Sequence, residues 1–229
     1  MAATESTPTA KRGLRADALR NRQRILEAAR QIFQERGVDA PLDEVAERAG
    51  VGAGTLYRHF PTRIALVEAV FEEELAKVAA IGEEASRCED PWVGLSTYFE
   101  RLCGAMAADR GLGDLFLLRM PASDELEGVC DSQSRALADL LLRAQEAGVV
   151  RDDLVPEDLF LFLVANGAVT QMTRCAAPHA WRRLVALLLD ACRPGSNGPL
   201  PAAPTPLQTE RVKREHAEAK GLRPVESSS

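Results

Sequence analysis

Five polar side chains crowd around one short stretch, GTLYRHFPTR: Thr55, Tyr57, Arg58, His59 and Arg63. Their types suit hydrogen bonding to an anionic partner rather than bond making. Hydroxyl, phenol, imidazole and guanidinium groups all donate to phosphate oxygens. Arg58 can also set two N–H groups on the O6 and N7 of one guanine. It can equally hold phosphate alone, and the spacing leaves both readings open. The methyl of Ala53 is a further candidate contact, and His59 has the alternative of a helix-end residue with no contact. Catalytic chemistry has little to build on. No GxSxG, HExxH, P-loop or GxGxxG pattern occurs, and the histidines are only His59, His179 and His216.

The elements that must position these groups read as a helix, a tight turn and a second short helix. In LDEVAERA, Leu42, Val45, Ala46 and Ala49 recur at helical spacing. Asp43 and Glu44 fall in the first turn, where the helix dipole favours negative charge. Gly50 suits the left-handed residue that closes such a helix. A second helix, about 53–60, carries Leu56 and Phe60 inward. Pro61 stops it, and Thr62 can cap the helix that follows. Ahead of this pair, a helix from about Ala16 to Arg36 has Ile25, Ala28, Ala29, Ile32 and Phe33 as its buried stripe and ends at Gly37. A short second helix held against the first by an apolar residue is the helix-turn-helix arrangement, in which that second helix enters a DNA major groove.

RQRILEAARQIFQERG, LDEVAERAGV, GTLYRHFPTR and ALV together resemble the DNA-binding domain of the TetR family of bacterial transcriptional regulators. The resemblance covers about 50 of the 229 residues. It implies a sequence-specific regulator of double-stranded DNA, most often a repressor released from a palindromic operator by a small-molecule effector. It also implies a C-terminal helical domain for effector binding and homodimerisation. A regulator with the same head but no small-molecule effector, governed by a protein partner, is the alternative. Three positions depart from the family pattern. Pro41 stands where Ser or Thr is usual, which removes one side-chain cap. Gly52 and Ala53 stand where Ser and a basic or polar residue are common, which leaves few base readers. Ile64 replaces a common Glu.

Low aromatic content, 5%, with abundant Ala and Leu, favours an all-α fold. Net charge is −6 overall, yet residues 1–63 hold 11 Lys/Arg against 8 Asp/Glu. A modestly basic head on an acidic body fits DNA contact through one face. The expected organisation is a disordered basic arm over 1–15, the DNA-binding domain over 16–63, a helical-bundle domain over 64–193 and a disordered tail over 194–229. The arm carries Lys11, Arg12 and Arg15, and Arg20, Arg22 and Arg24 follow; they are candidates for phosphate or minor-groove contact. The tail is rich in Pro, Ser and charge.

Within the bundle, helices are expected over 63–86, 91–109, 122–147, 157–175 and 179–193, with a short one at DLFLLRM after a break at Gly111 and Gly113. PEDLFLFLVANGAVTQMTR is apolar on nearly all sides, so it should be buried all round. It and the last helix form the expected dimer contact. Candidate pocket residues are Trp92, Phe99, Cys103 and Met106, then Phe116 and Met120, and lastly Phe162, Asn166 and Met172. They suit a mainly apolar molecule. Asn166 is the informative one, because an amide in an apolar helix needs a partner, either a ligand or the dimer mate.

Five cysteines without CxxC spacing suggest neither a zinc site nor a disulfide framework. No metal or other cofactor is expected. Neither a leader peptide nor a membrane span is legible, so a cytoplasmic, nucleoid-bound protein is the expectation.

Overall fold

The computed structural model describes residues 8–117, 124–195 and 198–220. The described residues form ten helices and no strand. They are α1 (Pro8–Arg36), α2 (Leu42–Ala49), α3 (Ala53–His59), α4 (Arg63–Ser86), α5 (Pro91–Ala108), α6 (Arg110–Leu117), α7 (Asp124–Glu146), α8 (Pro156–Thr173), α9 (Ala180–Ala191) and α10 (Pro206–Ala219). The chain divides into two compact units, 1–70 and 71–229, the boundary falling inside α4.

The first unit is a three-helix head with the first two turns of α4. Ile25, Ala28, Ala29, Ile32 and Phe33 of α1 are buried with Val45 and Ala46 of α2 and Leu56 of α3. Leu66, Val67 and Val70 are buried as well, and the Arg30 guanidinium donates to the Val70 carbonyl at 2.7 Å. These contacts carry the compact unit seven residues past Arg63. α1 starts at Pro8, so residues 8–15, expected to belong to a disordered arm, are helical. Proline is tolerated in a first turn, and the Ala, Lys, Arg and Leu that follow are strong helix formers. Residues 1–7 lie outside the described residues.

The second unit is a helical bundle around α5, which buries Leu95, Tyr98, Phe99, Leu102, Cys103 and Met106. Asp90 opens α5 by accepting from the N–H groups of Trp92 and Val93, at 2.9 and 3.0 Å. Gly111 and Gly113, expected to break the chain, lie inside α6 and are buried. The reversal falls instead at Asp109, whose carboxylate accepts the Leu112 N–H at 3.2 Å and so caps the new helix. Within one chain α8 buries only one side. Leu159, Leu163, Asn166 and Thr170 face inward, whereas Leu161, Val164 and Met172 lie on an exposed side.

The tail also departs from expectation. Pro194–Pro204 has no regular secondary structure where described, but α10 is a formed helix. Its start is a reciprocal cap: the Thr205 hydroxyl accepts the Gln208 N–H at 3.3 Å and the Gln208 side chain accepts the Thr205 N–H at 2.9 Å. It is docked as well as capped. Thr209 and Ala217 are buried, Lys213 lies over the Phe160 ring, and Lys220 pairs with Asp114 at 3.0 Å. Residues 221–229 lie outside the described residues.

Candidate nucleic-acid interface

The turn between α2 and α3 is built by backbone conformation. Gly50 sits at φ +64°, its N–H bonds to the Glu47 carbonyl, and the Val51 N–H bonds to the Ala46 carbonyl, each at 3.0 Å. These two hydrogen bonds satisfy two end-of-helix carbonyls and turn the chain sharply. The positive φ is what favours glycine; the Arg24 guanidinium, which reaches over to the Gly50 carbonyl, would have to move aside for a Cβ there. Pro41 opens α2 without a side-chain cap, as its identity dictates.

α3 spans seven residues and buries a single side chain, Leu56. That one anchor leaves the opposite surface outward. Tyr57 is 49% exposed, Arg58 and Ala53 are exposed, and Thr55 is half-buried. A Cβ added at Gly52 or Gly54 would meet nothing, so this surface is open. Tyr57, Arg58 and Ala53 are therefore free to touch a partner.

Two of the expected contact residues have internal surroundings. The Arg63 guanidinium donates to the carbonyls of Val38 and Ala40, at 2.9 and 2.5 Å, and so ties the start of α4 to the α1–α2 link. Burial lowers its pKa from the usual arginine value, against the opposing effects of Asp39 and Tyr57. Its structure is that of an internal clamp. His59 is half-buried, with Nε2 enclosed and without a hydrogen-bond partner among the described residues. Basic groups expected to form an arm also have internal tasks, since Arg22 stacks on Phe60 at 5.3 Å from the ring centroid and Arg24 meets Gly50. Thr62 does cap α4, accepting the Ala65 N–H at 3.1 Å.

The pocket candidates separate into a group and outliers. Phe99 and Phe162 pack edge to face, centroids 6.1 Å apart, and Asn166 Nδ2 donates to the Cys103 carbonyl at 3.3 Å. Met106 is buried on the same helix as Cys103. Burial pushes the Cys103 thiol up to about 12, so it stays protonated at neutral pH. Phe116 is half-buried on α6. Trp92 sits apart at the head of α5, under the Arg193 guanidinium, 3.5 Å from the ring centroid. Met172 is 87% exposed and lines no interior space; helical rotation puts it on the side opposite the buried stripe of α8. Met120 lies outside the described residues. One polar group was missed: Thr170, one turn beyond Asn166, has an enclosed hydroxyl with no hydrogen-bond partner among the described residues. Its i+4 spacing from Asn166 is the signal that could have found it. No group of three or more His, Cys, Asp or Glu suited to a metal ion occurs among the described residues, and none of their helices is long and apolar enough to cross a membrane.

An all-helical chain with a helix-turn-helix head and an outward second helix, carried on a separate helical bundle, defines a class of DNA-binding transcriptional regulators. The profile described as bacterial regulatory proteins, tetR family, matches residues 25–70, and the profile described as transcriptional regulator SbtR-like, C-terminal domain, matches residues 90–194. A TetR transcriptional regulator from Streptomyces coelicolor is 33% identical, the alignment covering 76% of this chain and 99% of that one, with a TM-score of 0.47. The chain belongs to the TetR family. The same fold recurs in a ketosteroid transcriptional regulator of Mycobacterium tuberculosis, 21% identical over 76% of this chain and 95% of that one, with a TM-score of 0.58. Among curated relatives, an HTH-type transcriptional regulator of Staphylococcus aureus is 43% identical over 63 residues, which are 27% of this chain and 34% of that protein. The match therefore spans about a third of that relative's length.

Proposed function

We propose that this chain is a homodimeric, ligand-responsive repressor that reads a near-palindromic DNA site and leaves it when a small, mainly apolar effector binds. The observation that carries the reading is the outward surface of α3, where Tyr57, Arg58 and Ala53 are exposed while Leu56 alone anchors the helix. Arg58 is assigned to a guanine, Tyr57 and Thr55 to phosphates that set register. Residues 16–70 serve as the reading head, and 71–193 as the effector and dimerisation domain.

Dimerisation is supported by the apolar side of α8 and α9 that one chain leaves bare: Leu161, Val164, Met172 and Leu187. Two heads would then occupy successive major grooves, about 34 Å apart. The effector acts by favouring a spacing of the heads that does not match the site, a shift of population that requires unequal affinity for the two states. Its seat is the apolar group Phe99, Cys103, Met106 and Phe162. The protein works in the bacterial cytoplasm, on the nucleoid when bound.

Selection of bound sequences from random duplex DNA tests the reading. An enriched inverted repeat with half-sites one helical turn apart is the expected result. Enrichment of an unpaired half-site, or none from folded protein, overturns the dimeric operator-binding model.

A further inference from the structure

Two polar groups inside the bundle are left without partners, and both lie on the inner face of α8. Asn166 is fully buried, and its Oδ1 has no hydrogen-bond partner among the described residues; the same holds for Thr170 Oγ1. The amide orientation is fixed. Nδ2 donates to the Cys103 carbonyl at 3.3 Å, and turning the amide over would set two oxygens against each other. Oδ1 is thereby committed to wait for a donor.

Thr170 is unusual in a complementary way. A threonine inside a helix commonly returns its hydroxyl to the carbonyl four residues back. Thr173 does so, donating to Val169 at 2.7 Å, while Thr170, on the inner face, does not. An orphaned buried acceptor costs about 1–3 kcal/mol, and the bond from Nδ2 to the Cys103 carbonyl leaves that cost standing at Oδ1.

We infer that Asn166 and Thr170 form the polar end of the effector site and that this end takes a hydroxyl group, alcohol or phenol, on an apolar body. The inference rests on the reading that the bundle binds a small molecule, and it names the chemistry that molecule must carry. Residues four apart on one helix face are separated by about 6 Å along the axis. One oxygen between the two side chains can lie about 3 Å from each. A hydroxyl there donates its proton to Asn166 Oδ1 and accepts from the Thr170 hydroxyl, so both valences close. A carbonyl can only accept, which leaves Asn166 unsatisfied, and a methyl group satisfies neither. Both protein groups are neutral and offer a charged ligand no counter-charge. The edge-to-face pair Phe99 and Phe162, one turn before Asn166, supplies apolar surface for the body.

Matched probes test this on the full-length protein: phenol against toluene, 1-naphthol against 1-methylnaphthalene, and cyclohexanol against cyclohexanone, by calorimetry and thermal melting. In at least one pair the hydroxyl member should bind about tenfold or more tightly. Asn166→Leu and, separately, Thr170→Val should shrink that preference toward twofold without weakening the methyl analogue. Thr170→Val keeps the shape of the side chain and guards against a misfolded Asn166→Leu, and operator binding reports folding of both. Equal binding within every pair, a preference that survives both substitutions, or no binding by any probe overturns the inference. Probe binding that shows the preference but leaves the protein on its operator would instead sink the effector-released repressor while the hydroxyl site stands.

Discussion

Arg58 and Arg63 lie five positions apart and have opposite tasks. Arg58 projects from α3 into solvent, whereas Arg63 spends its guanidinium on the Val38 and Ala40 carbonyls. Arg58→Ala should leave folding intact and relax preference at one base pair in each half-site, losing about 1–3 kcal/mol there; repeating the DNA selection with the variant reads this, and a uniform loss on all sequences would reassign the residue to phosphate. Arg63→Ala should cost the head about 2 kcal/mol of stability, seen in urea unfolding, because charged hydrogen bonds to two part-buried carbonyls are lost. Arg63→Lys should recover little, since an ammonium lacks the fork that spans both oxygens. The outward set of α3 was legible in the sequence because helical spacing around Leu56 decides which side chains face away. The role of Arg63 was not, because its partners lie over twenty residues earlier in a link whose path only the folded chain defines. Three buried acids act at another pH. Burial raises Cys103 to about 12 and Cys192 to about 11, from a usual 9, and raises Tyr98 as well. The folded chain then keeps protons that the unfolded chain releases above pH 9, so stability should fall as pH rises from 9 toward 12. Melting temperature against pH measures this, and Cys103→Ala should flatten the fall.

At the scale of elements, α10 is the clearest departure from what the sequence suggested. A stretch rich in Pro and charge lacks the apolar stripe that announces a buried helix, and its local cues are small: the Thr205–Gln208 cap and two small inward residues, Thr209 and Ala217. What holds it is long-range. The Lys220–Asp114 pair lies mostly out of solvent, with 16% and 13% of the side chains exposed. Upstream, the path of the chain is pinned to the loop before α8, where Arg151 donates to the Gly198 carbonyl and Asp153 accepts the Leu200 N–H, each at 2.9 Å. Asp114→Asn should weaken docking, because it removes the carboxylate's charge from a pair with Lys220 that lies mostly out of solvent. Limited trypsin digestion should then cut at Arg211, Lys213 and Arg214 at least several-fold faster than in the unaltered protein, while α5 stays protected. An unchanged cutting rate would mean that Thr209, Ala217 and the Phe160–Lys213 contact suffice. The glycines of α6 carry the converse lesson. Gly111 and Gly113 read as breakers by type, yet Asp109 supplies the turn, and a Cβ at Gly113 would make ordinary contact with the Met106 carbonyl at 3.5 Å, so that position tolerates a small side chain.

For the whole molecule, the decisive surface is the bare side of α8 and α9. The sequence of α8 is apolar nearly throughout, and one chain covers only its inner stripe, leaving Leu161, Val164 and Met172 exposed together with Leu187 of α9, 58% exposed. Exposed apolar side chains of this size scattered singly need no explanation, but a set shared by two successive helices in a bundle marks an interface. A second copy of the chain is the occupant we propose, which also matches the two-fold symmetry expected of the DNA site. Placing a carboxylate in such a contact forces it out of water without a partner, at a cost of several kcal/mol. Leu187→Glu, alone or with Met172→Glu, should therefore raise the dimer dissociation constant at least a hundredfold in analytical ultracentrifugation. Affinity for a full inverted repeat should collapse toward that for a half-site, while the helical content of each chain stays unchanged. Leu207→Glu is the matched control, since Leu207 is 80% exposed on α10 and is also apolar; it should leave the dimer intact. A Leu187→Glu protein that remains dimeric would place the contact elsewhere and remove α9 from the interface. A monomer that still binds the full repeat as tightly as before would separate dimerisation from DNA reading and overturn the two-headed mechanism itself.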